Sequence, residues 1–133
     1  MAHEPAQTLS AALRALRDGY RTELPAKIRA LDAAWAAALA GEEQSAEKLR
    51  ALIHNLSGSG AVFGFVEISR RAAAIERDLD ALLDRGATSA AELLPLAPAI
   101  EALADTCLRY ASARLTAEAT SATASESIRP SSA

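Results

Sequence analysis

The chain has 133 residues, which suits one domain, and its large apolar residues are spread evenly, with no sign of a second core. Half of the residues are hydrophobic, but charges interrupt the apolar runs, so no segment reaches the ~20 residues that a membrane-spanning helix needs. The net charge of −3, with both signs mixed along the chain, lacks the basic face of a nucleic-acid-binding protein. We therefore expect a soluble protein whose partners are other proteins.

The first predicted element is a helix over residues 9–39, where apolar residues recur at helical spacing. Its apolar stripe consists of Leu9, Leu13, Leu16, Tyr20, Leu24, Ile28, Leu31, Trp35 and Leu39. Pro25 lies inside this stripe. Because proline lacks an amide donor and disfavours helical geometry at the preceding residue, we expect the helix to be kinked or split there. Gly41 suits the end of the helix, and GEEQS reads as a turn.

Three further apolar stripes follow. The second helix has Ser45 as its predicted N-cap and carries Leu49, Leu52, Ile53 and Leu56. The third carries Ile68, Ala72, Ile75, Leu79, Leu82 and Leu83, and the last carries Ile100, Leu103, Cys107, Tyr110 and Leu115. Between them, residues 89–92 (SAAE) have the form of a capping box, and Pro95 and Pro98 favour an irregular turn before the last helix.

These stripes, joined by short turns, predict an all-α protein, an antiparallel four-helix bundle over residues 9–115 with a kinked or split first helix. Residues 1–8 are expected to form a flexible N-terminus. Residues 116–133 are small, polar and poor in large apolar groups, which predicts a disordered tail. We expect a monomer. The first ten residues lack the basic start and apolar core of a secretion signal, so we expect it in the cytoplasm.

Candidate chemistry is concentrated in the stretch LIHNLSGSGAVFG, residues 52–64. At about 100° per residue, Gly60 falls on the same face as the leucines, whereas His54 and Gly58 fall on the solvent face. We therefore expect Gly58 to leave room for another molecule beside the imidazole, and Gly60 to permit close contact with a neighbouring helix. Gly64 is the expected end of the helix.

Several ordinary interpretations compete with a functional one. An exposed histidine is often only a solvated residue, and a phosphate-binding loop is disfavoured because no Gly-Lys-Ser/Thr follows the glycines. Trp35 and the single cysteine, Cys107, lie in apolar stripes and are expected in the core. With one cysteine and two distant histidines, we expect no disulfide, no structural metal and no intrinsic cofactor. The arginines at 70, 71 and 77 suit a solvated helix face, or a surface that helps to dock an acidic partner.

The stretch HNLSGSGAVFGFVEISRRAAAIE resembles the histidine-phosphotransfer (HPt) domain family. The family pattern is matched or nearly matched by His54, Leu56, Gly58, Ser59, Gly64, Ile68, Ile75 and Glu76. One departure is Ser57, which stands where the family often has a lysine thought to assist the phosphoryl group. Arg50, one turn before His54, is a possible substitute for that lysine.

The resemblance implies a phosphoryl carrier that is not itself an enzyme. His54 would be the phosphoacceptor, with Arg50, Ser57, Gly58 and Ala61 as neighbours of the phosphoryl group. The implied partners are response-regulator receiver domains and a hybrid histidine kinase, and the receiver would supply an acidic pocket and Mg²⁺. Two alternatives stay open: the dimeric core of a histidine kinase, disfavoured because HNLSG lacks the acidic residue that normally follows its histidine, and an adaptor or inhibitor that acts without phosphorylation.

Overall fold

The backbone is described for residues 4–128 and the side chains for residues 8–113 in the computed structural model. Helix α1 spans Glu4–Leu39, α2 spans Ser45–Val62 and α3 spans Val66–Asp84. A single turn, α4 (Ala90–Leu93), and a 3-10 turn (Leu94–Leu96) then lead into α5, Ala97–Ile128. The described part of the chain contains no strand, and none of its helices is long and apolar enough to cross a membrane.

The four long helices enclose one apolar core. Helix α1 packs against α2 and α5, and α3 packs against the same two helices, so the order around the core is α1, α2, α3, α5. All four helices, and Phe65 just before α3, contribute to the most deeply buried side chains, which include Leu24, Leu31, Leu49, Ile53, Phe65, Ile68, Ile75, Leu79, Leu103 and Cys107. The predicted four-helix bundle is confirmed, including the buried position of Cys107. Trp35 is half-buried and packs against the edge of this core.

Of the two outcomes expected at Pro25, a kink or a split, the split does not occur, because α1 is one continuous helix. Pro25 itself is exposed, while Leu24 before it and Ile28 after it are buried in the core. Proline in a helix interior costs about 3 kcal/mol. The apolar contacts on both sides offset that cost and keep the two halves of α1 in one element.

The N-terminal part of α1 also departs from the expected stripe. Leu9, Leu13 and Leu16 are all more than half exposed, and burial begins only at Tyr20. At ~1.5 Å per residue, α1 is about twice as long as α2, since it has 36 residues against 18. Its first turns therefore extend past the connection between α2 and α3, which α1 meets at Arg17, beside Gly64.

Gly41 and Gly64 follow the ends of α1 and α2 as predicted, and Gly86 follows the end of α3 in the same way. Their φ values are 74°, 81° and 66°, a left-handed conformation that side chains other than glycine adopt reluctantly. The predicted cap of α2 is wrong by one position. The N-cap is Gln44, while Ser45 is the first helical residue and donates its hydroxyl to the Glu42 carbonyl at 2.5 Å.

The segment that leads into α5 agrees more closely with the prediction. Ser89 is the N-cap of α4, and its hydroxyl oxygen accepts a hydrogen bond from the backbone N–H of Glu92 at 3.3 Å. The irregular turn expected around Pro95 is the 3-10 turn. Helix α5 then runs to Ile128, beyond the predicted domain end at residue 115. The backbone is helical at residues 4–8 and 116–128, which the sequence analysis assigned to a flexible N-terminus and a disordered tail, while residues 1–3 and 129–133 lie outside the described residues. The flexibility of both segments stays a prediction.

Candidate functional site

His54 lies on the outer face of α2, and its side chain is 69% exposed. On the same helix Ile53 and Leu56 are buried, so the helical period directs the imidazole away from the core. The prediction that His54 faces solvent is confirmed.

The two glycines after His54 have different surroundings. A Cβ atom added at Gly58 would meet nothing within 4 Å, so the surface one turn beyond the imidazole is open. A Cβ at Gly60 would lie 3.0 Å from the backbone N of Ser69 and 3.2 Å from the backbone O of Phe65. Gly60 therefore permits α2 to approach the start of α3. The close approach expected at Gly60 and the open surface expected at Gly58 are both present, and the use of that surface by another molecule stays a prediction.

Helix α3 supplies the partner of the imidazole. Oε2 of Glu76 is 2.7 Å from Nδ1 of His54, and the Glu76 side chain is only 16% exposed. An ionised carboxylate accepts hydrogen bonds and cannot donate one, so this contact places a proton on Nδ1. In the neutral ring the free lone pair is then on Nε2. No hydrogen bond among the described residues uses Nε2.

Arg50 lies one turn before His54 and also reaches across to α3. Its Nε donates a hydrogen bond to Oδ1 of Asp80, and its Nη2 lies 3.8 Å from Oε2 of Glu76. The hydrogen bond that Arg50 donates to Asp80 is the largest of the interactions that raise the pKa of Arg50. Arg50 is thus held against two carboxylates of α3.

The other predicted neighbours of His54 lie on α2. Ser57 is half-buried, whereas Gly58 and Ala61 are exposed on the same side as the imidazole. The described side chains contain no group of three or more His, Cys, Asp or Glu residues arranged to hold a metal ion.

A partly buried polar contact fixes the C-terminal part of α2 against α1. The hydroxyl of Tyr20 is 2.8 Å from the hydroxyl of Ser59, which in turn donates to the carbonyl of Asn55 at 2.7 Å. Tyr20 also stacks on Phe63, with ring centroids 5.0 Å apart. Burial raises the pKa of Tyr20, and the hydrogen bond with Ser59 opposes that rise. These contacts fix the rotation of α2, and with it the direction of His54.

The sequence did not predict what Glu76 does, although Glu76 was part of the matched pattern. The available signal was its place on α3 directly after the buried Ile75, with Asp80 one turn later. Neither position says which residue of α2 lies opposite. The contact depends on the register between two helices, which the spacing of residues in one helix does not contain.

The arginines at 70, 71 and 77 lie on α3, away from the imidazole contact. Nη2 of Arg70 donates to both carboxylate oxygens of Glu67, at 2.8 and 2.9 Å, and Nε of Arg71 lies 3.4 Å from Oε2 of the same carboxylate. The hydrogen bond from Arg70 is the largest cause that lowers the pKa of Glu67. Arg77 is exposed. This arrangement agrees with a solvated helix face.

Comparison with known proteins gives one match. The model of the Hpt domain family matches residues 15–120, a range that includes all or part of each long helix and both His54 and Glu76. No curated protein and no solved structure matches the chain.

Proposed function

The chain belongs to the Hpt domain family, and on that basis we propose that His54 accepts a phosphoryl group from the aspartyl phosphate of one receiver domain and passes it to the aspartate of another. Hpt domains are phosphocarrier modules that interact with receiver domains and kinases in two-component phosphorelays. The proposal assigns the phosphoryl group to Nε2 of His54.

The contact between His54 and Glu76 is the observation that carries the proposal. It combines an exposed imidazole with a carboxylate that holds Nδ1 at 2.7 Å. A histidine that serves only as a solvated surface residue has no need of a fixed tautomer. Here the fixed tautomer leaves an unshared electron pair on Nε2 of an exposed ring, and the surface one turn away at Gly58 is open.

The transfer step follows from this geometry. The lone pair of Nε2 attacks phosphorus, a new N–P bond forms, and the bond between phosphorus and the aspartyl oxygen breaks. The electron pair of that bond leaves with the aspartate carboxylate. The ring then carries a proton on Nδ1 and phosphorus on Nε2, so it is formally positive, and Glu76 stabilises this charge through the existing hydrogen bond. Transfer to the second receiver reverses these bond changes.

The remaining requirements of phosphoryl transfer are met by the partner in this proposal. Such reactions depend chiefly on positioning and on neutralising the charge of the phosphoryl oxygens. Position 57 carries a serine and so provides no positive charge beside His54. The receiver therefore supplies the acidic pocket and the Mg²⁺, and this chain presents the nucleophile without an intrinsic cofactor.

The test is transfer of labelled phosphoryl groups from a phosphorylated receiver to the wild-type chain and to His54→Gln. The wild type should gain an acid-labile label, and His54→Gln should gain none while it still binds the receiver. His3→Gln is the matched control because it removes the other histidine, and it should be labelled like the wild type. Label on His54→Gln would place the acceptor elsewhere. Regulation of a kinase or receiver that survives in His54→Gln would instead favour an adaptor that acts without phosphorylation.

A further inference from the structure

The contacts between α2 and α3 beside His54 form a short ladder. Arg50 and His54 are four residues apart on α2, and Asp80 and Glu76 are four residues apart on α3. Arg50 contacts Asp80, and His54 contacts Glu76. Because the helices are antiparallel, one turn forward on α2 corresponds to one turn back on α3, and both pairs belong to a single register.

One oxygen atom of Glu76 connects the two pairs. Oε2 of Glu76 lies 2.7 Å from Nδ1 of His54 and 3.8 Å from Nη2 of Arg50. Arg50 is itself fixed by its hydrogen bond from Nε to Asp80. The guanidinium therefore lies between two carboxylates, and one of these is the carboxylate that orients the imidazole.

The positive charge of Arg50 stabilises the Glu76 carboxylate. Its side chain is largely buried, and an ionised carboxylate with little access to water is stabilised by a nearby positive charge. A neutral imidazole provides one hydrogen bond and no charge. Without Arg50, the carboxylate gains more by turning toward water, which breaks its contact with Nδ1.

We propose that Arg50 is a positioning residue, which together with Asp80 holds the Glu76 carboxylate against Nδ1 of His54 and so keeps the lone pair on Nε2. In this role Arg50 does not touch the phosphoryl group and does not replace the lysine that is missing at position 57. The consequence for transfer rests on the proposed function. The effect on the tautomer of His54 does not.

The first measurement is the tautomer of His54, read from the ¹⁵N shifts and long-range couplings of its ring nitrogens. A His3→Gln background leaves His54 as the only histidine. The proton should reside mainly on Nδ1 in this background and shift toward Nε2 in Arg50→Gln. Arg50→Lys, which keeps the charge, should restore part of the Nδ1 population. Arg29→Gln is the matched control, since it removes an exposed arginine of α1, and it should leave the tautomer unchanged.

The second measurement is the rate of transfer from a phosphorylated receiver to the same variants. Arg50→Gln should slow transfer by up to about tenfold. In metal sites, removing the partner that orients a histidine lowers affinity or activity by about 10- to 100-fold, and we expect an effect at the lower end of that range or below it. Asp80→Asn should shift the tautomer and the rate in the same direction by a smaller factor. This second variant guards against a folding defect specific to position 50.

Two results would overturn the inference. One is an Arg50→Gln protein whose tautomer and rate both equal those of Arg29→Gln. The other is slower transfer with an unchanged tautomer, which would assign Arg50 to direct contact with the phosphoryl group. If no protein in the series accepts a phosphoryl group, the proposed function fails, while a tautomer shift in Arg50→Gln still supports the positioning role.

Discussion

The two glycines of α2 provide a matched test of how this helix is packed. Replacing either by alanine adds one Cβ atom to the same helix, and each replacement gains about 1 kcal/mol in helix propensity. At Gly58 nothing lies within 4 Å of the new atom, so Gly58→Ala should stabilise the protein by about that amount. For a chain of this size 1 kcal/mol corresponds to a rise in Tm of about 3 to 6 °C.

At Gly60 the same gain is opposed by contacts of 3.0 and 3.2 Å with the backbone of Ser69 and Phe65. These atoms belong to the start of α3 and the residue that precedes it, so they move only if α3 shifts as a whole. Overpacking of this kind costs about 1 to 3 kcal/mol. Because the propensity gain is common to both variants, the difference between their unfolding free energies measures the steric cost alone.

The assay is urea unfolding followed by far-UV circular dichroism, with both alanine variants compared with the wild type. We expect Gly58→Ala to be more stable than the wild type, and Gly60→Ala to be less stable than Gly58→Ala by about 1 to 3 kcal/mol. Equal stability of the two variants would refute the close approach of α2 and α3 at Gly60. A loss of stability in Gly58→Ala would refute the open surface beside His54.

Three other predictions follow from particular residues. Gly58→Leu should leave helicity unchanged or slightly raised in circular dichroism but weaken receiver binding in calorimetry, because the side chain occupies the open surface beside His54; unchanged binding would contradict this. Pro25→Ala should raise the unfolding free energy by up to about 3 kcal/mol, since α1 already continues through this position and alanine restores the missing hydrogen bond; no gain in urea unfolding would show that proline costs little here. Burial raises the pKa of the Cys107 thiol from 9.0 to about 11. Between pH 9 and about pH 11 the unfolded state therefore loses a proton that the folded state keeps, so the free energy of unfolding should fall as the pH rises. At ~1.4 kcal/mol per pKa unit, this loss is at most about 3 kcal/mol, and Cys107→Ala should show a correspondingly weaker decline in unfolding free energy over the same pH range.

The local features of the site could be predicted from sequence because they depend on the period of one helix. The period fixes which side of α2 is buried, so the exposure of His54 and the different faces of Gly58 and Gly60 follow directly. Gly64 marks the end of α2 because its positive φ suits glycine.

Features that depend on two helices could not be predicted in this way. Glu76 lies beside His54 only because α2 and α3 pack in one register. The exposure of Leu13 on α1 has a similar origin, since its spacing matches the buried stripe but α2 and α3 do not extend far enough to cover it. The sequence could not decide between a kink and a split at Pro25, because it shows the missing hydrogen bond and does not show the packing that keeps α1 continuous.

The central claim is that Nε2 of His54 carries the phosphoryl group while Nδ1 keeps its proton. It is tested most directly by NMR on protein with ¹⁵N-labelled histidine, after phosphorylation by a receiver. The account predicts a ³¹P–¹⁵N coupling to Nε2 of His54. It also predicts that Nδ1 keeps its proton and donates a hydrogen bond to Glu76. A coupling to Nδ1, or phosphorus on any residue other than His54, would contradict it.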